Sequence, residues 1–217
     1  MNLTVRNLGT DVGHEEGLAL QQELLHQRIA GEIPDTLLLL EHSPVYTIGR
    51  TRDRSSLLNL EQLPHPLHEI SRGGQATFHG PGQLVGYPII DLSSLGKDLH
   101  EYLRCLEGSL INFCKSYQVP ATQRDSLTGI WVEDRKLASI GVGVKKWVTY
   151  HGFALNLRAE SLPPFQSITP CGLEGVAMTA LANEGAPSLD LESAYENYPQ
   201  HLSDELSKLA SSQESTS

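Results

Sequence analysis

The stretch RGGQATFHGPGQLVGYPIIDL, residues 72–92, restricts the fold more than any other part of the chain. Gly73, Gly74, Gly80, Gly82 and Gly86 fall inside it, among residues of strand type. A glycine within a strand packs no side chain and loses more backbone entropy than any other residue, so it weakens the strand that holds it. These glycines therefore mark places where something approaches the backbone closely. A strand, a tight HGPG turn and a return strand account for the spacing, and Pro88 predicts an edge or a bulge in the return strand.

The flanking sequence supplies the layers. Leu99, Leu103, Leu106, Leu110 and Phe113 step by four and three, the apolar stripe of a helix over 97–117 packed on a sheet. Cys105 and Cys114 lie within that helix and read as small buried hydrophobes. Residues 14–30 form a second helix, with Leu18, Leu25 and Ile29 on one face and Gly31 as its stop. TLLLLEH, from Thr36, is a buried strand; SPVYTIGR and PLHEIS are further extended segments, with a short helix expected over 55–63. From Gly129 strands return, as GIWVEDRKLASIGVGV around a Glu-Asp turn and then VTYHGFALNL. A proline-bearing loop, ESLPPFQSITPCGLEG, leads to a short helix expected near 174–183, and a last helix covers about 190–210. Strand runs with a few helices predict an α+β or mixed α/β class. The expected organisation is one catalytic domain over 1–210 and a disordered polar tail over 211–217, SSQESTS.

Composition removes several functions. With 16 basic against 26 acidic residues the net charge is −10, which argues against a nucleic-acid-binding face. No apolar run approaches the roughly 20 residues of a membrane span, and the N-terminus has no signal-peptide pattern; a cytoplasmic location is expected. Cys105, Cys114 and Cys171 are too few and too unevenly spaced for a disulfide framework or a zinc knuckle. Neither GxGxxG nor a Walker pattern occurs, so the glycines do not read as a nucleotide loop. Local positive charge collects at Arg50, Arg52 and Arg54, at Arg72, and at Lys145 and Lys146, where an acidic partner could dock.

Cys171 stands apart from the other thiols. It lies between Pro170 and Gly172 at an expected loop-to-helix junction, where a helix N-terminus would stabilise its thiolate. Beside it stands the alternative of a plain structural thiol. Lys136, next to a turn, reads either as a solvated lysine or, if buried against the following glycine strand, as an acid/base. His79 and His151 occur in similar FHG and YHG settings and could bind a metal, act as bases or bond the backbone. No close His/Cys/carboxylate spacing supports zinc, and no metal or other cofactor is expected.

The run Arg72, Gly73, Gly74, Gln75, Ala76, Thr77, Phe78, His79 and on to Pro88 closely resembles the signature of the lipoyl(octanoyl) transferases, octanoyl-acyl carrier protein:protein N-octanoyltransferases. EHSPVYTIGR, Lys136 through Leu157, and ITPCGLEG agree in the same order, over roughly residues 35–183. Phe78 stands where tyrosine is common and Ala76 where valine is common; neither change removes a reactive group. The resemblance implies a biotin/lipoate protein ligase-like fold, with a mixed, largely antiparallel sheet flanked by helices. It implies a Cys171/Lys136 catalytic dyad. It also implies an acyl site made by Arg72 to His79, by Ser139, Ile140 and Gly141, and by Gly152, Phe153 and Ala154. Octanoyl-acyl carrier protein would be the donor. Lipoyl domains of 2-oxoacid dehydrogenase complexes and the glycine cleavage H protein would be the acceptors. On this reading the glycines leave room for an acyl chain against bare backbone, and Arg72 with Arg50–Arg54 meets the acidic carrier.

Overall fold

A computed structural model describes residues 3–50, 54–58, 63–169 and 175–214. The four leucines of β2 (Asp35–Leu40) define its layers. Leu37 and Leu39 enter one core and Leu38 and Leu40 another, because successive side chains of a strand point to opposite faces. All four are buried, as expected of a strand covered on both sides.

The large sheet has eight strands, built around β2 and β6 (Gln83–Ile89), β9 (Arg135–Lys145) and β10 (Val148–Asn156). Outside these lie β1 (Leu3–Asn7) at one edge and β8 (Leu127–Val132) and β7 (Thr122–Arg124) at the other. β1 runs parallel to β2, and the two-residue β11 (Ala177–Met178) parallel to β9; the other pairings are antiparallel. A small sheet joins β4 (Leu67–Glu69), β3 (Val45–Ile48) and β5 (Thr77–His79). The result is a mixed, largely antiparallel single-domain architecture flanked by helices.

Helices α2 (Leu99–Ser116) and α3 (Leu191–Glu214) pack together on one face of the large sheet. Asp98 caps α2 by accepting from the amides of His100 and Glu101. Cys105 and Cys114 are buried there, and burial pushes both thiols up to about 12. The third helix of the fold, α1 (His14–Ile29), covers the opposite face. Its buried residues are His14, Gly17, Gln21, Leu24 and Leu25, so the helix is turned from the Leu18/Leu25/Ile29 face read from the sequence. The reason is polar docking. Gln21 accepts a hydrogen bond from the His151 amide, and Gly17 lies against the His42 ring, 3.0 Å from where a Cβ would stand.

Several local expectations change. The glycine-rich segment is no hairpin: β5 joins the small sheet and β6 the large one, with the HGPG turn carrying the chain between them. Pro88 sits in central β6, not at an edge. The β6–β10 ladder is paired at Gly86↔Phe153 and resumes in the same register at Asp91↔Val148, which sets Pro88 across from His151. Between these points the ladder is interrupted. His151 takes a left-handed φ of 56° and gives its amide to Gln21, while Thr149 donates its hydroxyl to the Pro88 carbonyl and accepts from the Ile90 amide. The helix expected near 174–183 is absent among the described residues from 175 onward. Ala177 and Met178 pair with the free edge of β9, and a 3-10 turn follows at Leu181–Glu184. Near residue 55 only a 3-10 turn, Arg54–Ser56, occurs among the described residues. At the C-terminus α3 continues to Glu214, past the expected boundary at 210.

Candidate functional site

Lys136 is buried, 1% exposed, on β9. A β-bulge brings it there: Ile130 pairs with Ala138 but Trp131 pairs with Lys136, leaving Leu137 as the extra residue. Such a bulge bends the strand and re-aims the side chain beside it. The Lys136 Nζ lies 5.3 Å from the centroid of the Trp131 ring, and its stem crosses Gly129, where a Cβ would come within 2.9 Å of Cε. Lys136 lines a groove of about 290 Å³ together with Gly73, Gly74, Ile140 and Gly141.

Cys171 lies outside the described residues, as do Pro170 and residues 172–174. The chain on either side is held in place. Thr169 donates its amide to the Ser56 carbonyl, and Met178 pairs with Lys136 itself. A larger opening of about 670 Å³ is lined by Thr169, Gly175, Met178, Leu162 and Phe165. Without a helix from 175 to 180, the helix-terminus argument for activating Cys171 has no support in the described residues.

A slot adjoins the Lys136 groove, sharing Gly74, Ile140 and Gly141 with it. Of the expected acyl-site residues, Arg72, Gly74, Thr77, His79, Ser139, Ile140, Gly141, Gly152, Phe153 and Ala154 line it. Gly73 lines only the neighbouring groove. Ala76 and Phe78 lie instead in the core of the small sheet with Tyr46, Ile48 and Phe165, and Gln75 lines neither space. The physical reason is strand alternation: with Thr77 and His79 turned to the slot, Ala76 and Phe78 must face the other way.

The glycines divide likewise. Gly74, Gly141 and Gly152 face the slot, but Gly86 receives the Phe153 ring, whose Cε1 would lie 2.2 Å from an added Cβ. A Cβ on Gly152 would lie 2.2 Å from the Gly86 carbonyl oxygen. Part of the glycine signal thus records how tightly β6 and β10 pack, not room for a ligand.

Arg72 is buried rather than exposed to a partner. Its guanidinium donates to the Thr47 carbonyl and hydroxyl and to the Gly73 carbonyl. Arg50 is exposed, whereas Arg52 and the side chain of Arg54 lie outside the described residues.

The slot's polar end is a histidine cluster that the sequence reading only half captured. His79 and His151 line the slot with Tyr87, and His42 joins them through a 2.7 Å hydrogen bond between its Nε2 and the Tyr87 hydroxyl. The His14 ring lies 5.7 Å from that of His42 and 4.8 Å from that of His68. Burial, then the neighbouring imidazoles and Arg72, lowers His14 to about 4. Burial, then Arg72 and His14, lowers His151 to about 3, and burial holds His79 well below the usual range. These rings are neutral near pH 7. His151 Nε2 is buried without a hydrogen-bond partner among the described residues. No group of three or more metal-ligating side chains occurs among those residues, and no helix there is long and apolar enough to cross a membrane.

This fold is the one that lipoate and biotin protein ligases share. The structure of a lipoate-protein ligase A bound with ATP superposes with a TM-score of 0.72, covering 98% of this chain and 94% of that one, at 13% identity. The Aquifex aeolicus biotin protein ligase gives 0.59 over 96% of this chain and 72% of that one, at 12% identity. Residues 14–203 match the lipoyl protein ligase A/B catalytic domain, and the chain belongs to that family. It is also 52% identical to an octanoyltransferase of Geobacter metallireducens over 180 residues, 83% of this chain and 82% of that protein.

Proposed function

We propose that this chain is a cytoplasmic octanoyltransferase of protein lipoylation. It moves an octanoyl group from octanoyl-acyl carrier protein, through an S-octanoyl-Cys171 intermediate, to the ε-amine of a lysine on a lipoyl domain. Its acceptors are the lipoyl domains of 2-oxoacid dehydrogenase complexes and the glycine cleavage H protein. The observation that carries this reading is the 52% identity to an octanoyltransferase over 83% of the chain. The buried Lys136 amine supports it physically, because the strand that pairs with Lys136 follows the segment bearing Cys171.

In the first step the Cys171 sulfur attacks the thioester carbonyl. Lys136 takes the thiol proton and delivers it to the departing pantetheine sulfur, leaving an acyl-cysteine and a free carrier thiol. In the second step the neutral amine of the acceptor lysine attacks the acyl-cysteine. Lys136 takes one amine proton and returns it to the cysteine sulfur, giving an amide and the starting thiol. Passing from thioester to amide runs downhill, so neither step draws on a nucleotide.

The slot encloses only about 30 Å³ and the adjoining Lys136 groove about 290 Å³, so chain-length selection would need the acyl chain to lie across both. Burial is worth about 0.8 kcal/mol per methylene, so the carbons beyond the octanoyl carbonyl contribute roughly 5 kcal/mol against short acyl chains.

Intact-protein mass spectrometry after mixing with octanoyl-acyl carrier protein tests the reading. One hydroxylamine-labile octanoyl adduct is expected on the wild type and none on Cys171→Ser. Full adduct formation by Cys171→Ser would overturn the nucleophile. Octanoylation of a lipoyl domain by that variant from free octanoate and ATP would point instead to ligase chemistry.

A further inference from the structure

Glu107 is a carboxylate in the wrong surroundings for its charge. It lies on the sheet-facing side of α2 beside Leu106 and Leu110, with its side chain 1% exposed. A desolvated carboxylate is retained only where its oxygens are well bonded. One oxygen, Oε2, accepts from Arg104 at 2.6 Å, but that side chain is 42% exposed, and a pair open to water does little to compensate for burial. The other, Oε1, accepts from the Gly129 backbone amide at 2.9 Å, from a strand-to-helix distance of 22 residues.

Gly129 is the residue on which Lys136 lies. Its φ of 122° is closed to ordinary side chains, and a Cβ there would meet the Ala138 carbonyl oxygen at 2.5 Å as well as the Lys136 stem at 2.9 Å. The bulge at Leu137 disturbs the β8–β9 ladder beside it, and the Gly129 amide donates to a helix side chain. Ile130 and Trp131 are anchored by burial, whereas Gly129, which has no side chain, is tied to α2 by one carboxylate.

We propose that Glu107 is a positioning residue for Lys136: by holding the Gly129 amide it fixes the backbone shelf that supports the lysine stem, and so fixes where the amine stands. This rests on the reading of Lys136 as the acid/base of acyl transfer. Reach to Gly129, rather than the charge pair with Arg104, is what matters.

Three variants separate these roles in steady-state transfer from octanoyl-acyl carrier protein to a lipoyl domain. Glu107→Asp keeps the charge but is one methylene short of Gly129; its kcat should fall at least tenfold with KM for the carrier within twofold. Glu107→Gln keeps an acceptor at full reach and should recover most of that lost rate. Arg104→Ala removes the pair and leaves the Gly129 bond, so its kcat should stay within twofold of wild type. A Glu107→Asp enzyme at wild-type kcat, a Glu107→Gln enzyme slower than Glu107→Asp, or a tenfold loss in Arg104→Ala would each overturn the proposal. Arg104→Ala decides even if Glu107→Asp fails to fold, since Arg104 is partly exposed. Lys136→Ala belongs in the same series. If it stays active, the acid/base reading falls; if it is dead while Glu107→Asp is normal, only the positioning role falls.

Discussion

Two buried ionisable sites share the large sheet among the described residues, and their surroundings differ in kind. At the Lys136 end, a carboxylate is lodged across Gly129 and an indole ring lies beside the amine. At the histidine end, no acidic residue among the described residues lines the slot; His14, His79 and His151 lie near Arg72, His42 bonds Tyr87, and burial holds the rings neutral. A buried imidazole can meet the loss of water by shedding its proton. The two spaces share Gly74, Ile140 and Gly141, so the lysine and the neutral imidazoles border adjoining parts of one site.

The largest test of this contrast removes the amine and leaves its stem. Lys136→Met should lower kcat for octanoyl transfer on the order of 10³-fold, within the range of general acid–base catalysis, while a thermal melt shifts little. A loss below tenfold would make the Lys136 end as chemically silent as the histidine end.

Acid should strike the histidine end. His151 has a folded value of about 3 against an ordinary 6.5, so the unfolded chain binds its proton first as pH falls. Its stabilising contribution is therefore complete above pH 6.5 and is lost progressively towards the folded value. Going from pH 7.5 to 5 should remove about 2 kcal/mol of stability through this one group. Urea unfolding at the two pH values measures it, and His151→Gln should flatten the difference. An equal pH slope in that variant would show that His151 does not titrate against folding.

The smallest expected effect is that of Tyr87→Phe. It deletes the hydroxyl bonded to His42 Nε2 and should cost about 1 kcal/mol in the same unfolding measurement. No change at all would mean that His42 is held by its Val12 carbonyl contact alone.

The layers were legible because their signals are local. The Leu stripe of α2 and the four leucines of β2 each carry a period that survives in any context. β1 was missed although Leu3 and Val5 alternate with polar residues, because five residues beside a chain end make a weak pattern. The site was half legible. Ten of the expected acyl-site residues, from three separate segments, line the slot, but Ala76 and Phe78 lie in the small-sheet core because a motif does not say which of its residues face inward. Glu107, His14 and His42 carry no local signal: α2, α1 and the chain just after β2 bring them to partners 22 residues or more away.

The proline set into the middle of the large sheet has a consequence for how that sheet is joined. A strand lacking one amide cannot be zipped to its neighbour at that point, and the residue facing it has already turned its own amide towards a helix. The seam between the two central strands is closed there by a side chain, the Thr149 hydroxyl, which donates to the Pro88 carbonyl and accepts from the Ile90 amide. Alanine at position 88 would add a backbone donor beside a bridge that a threonine already makes.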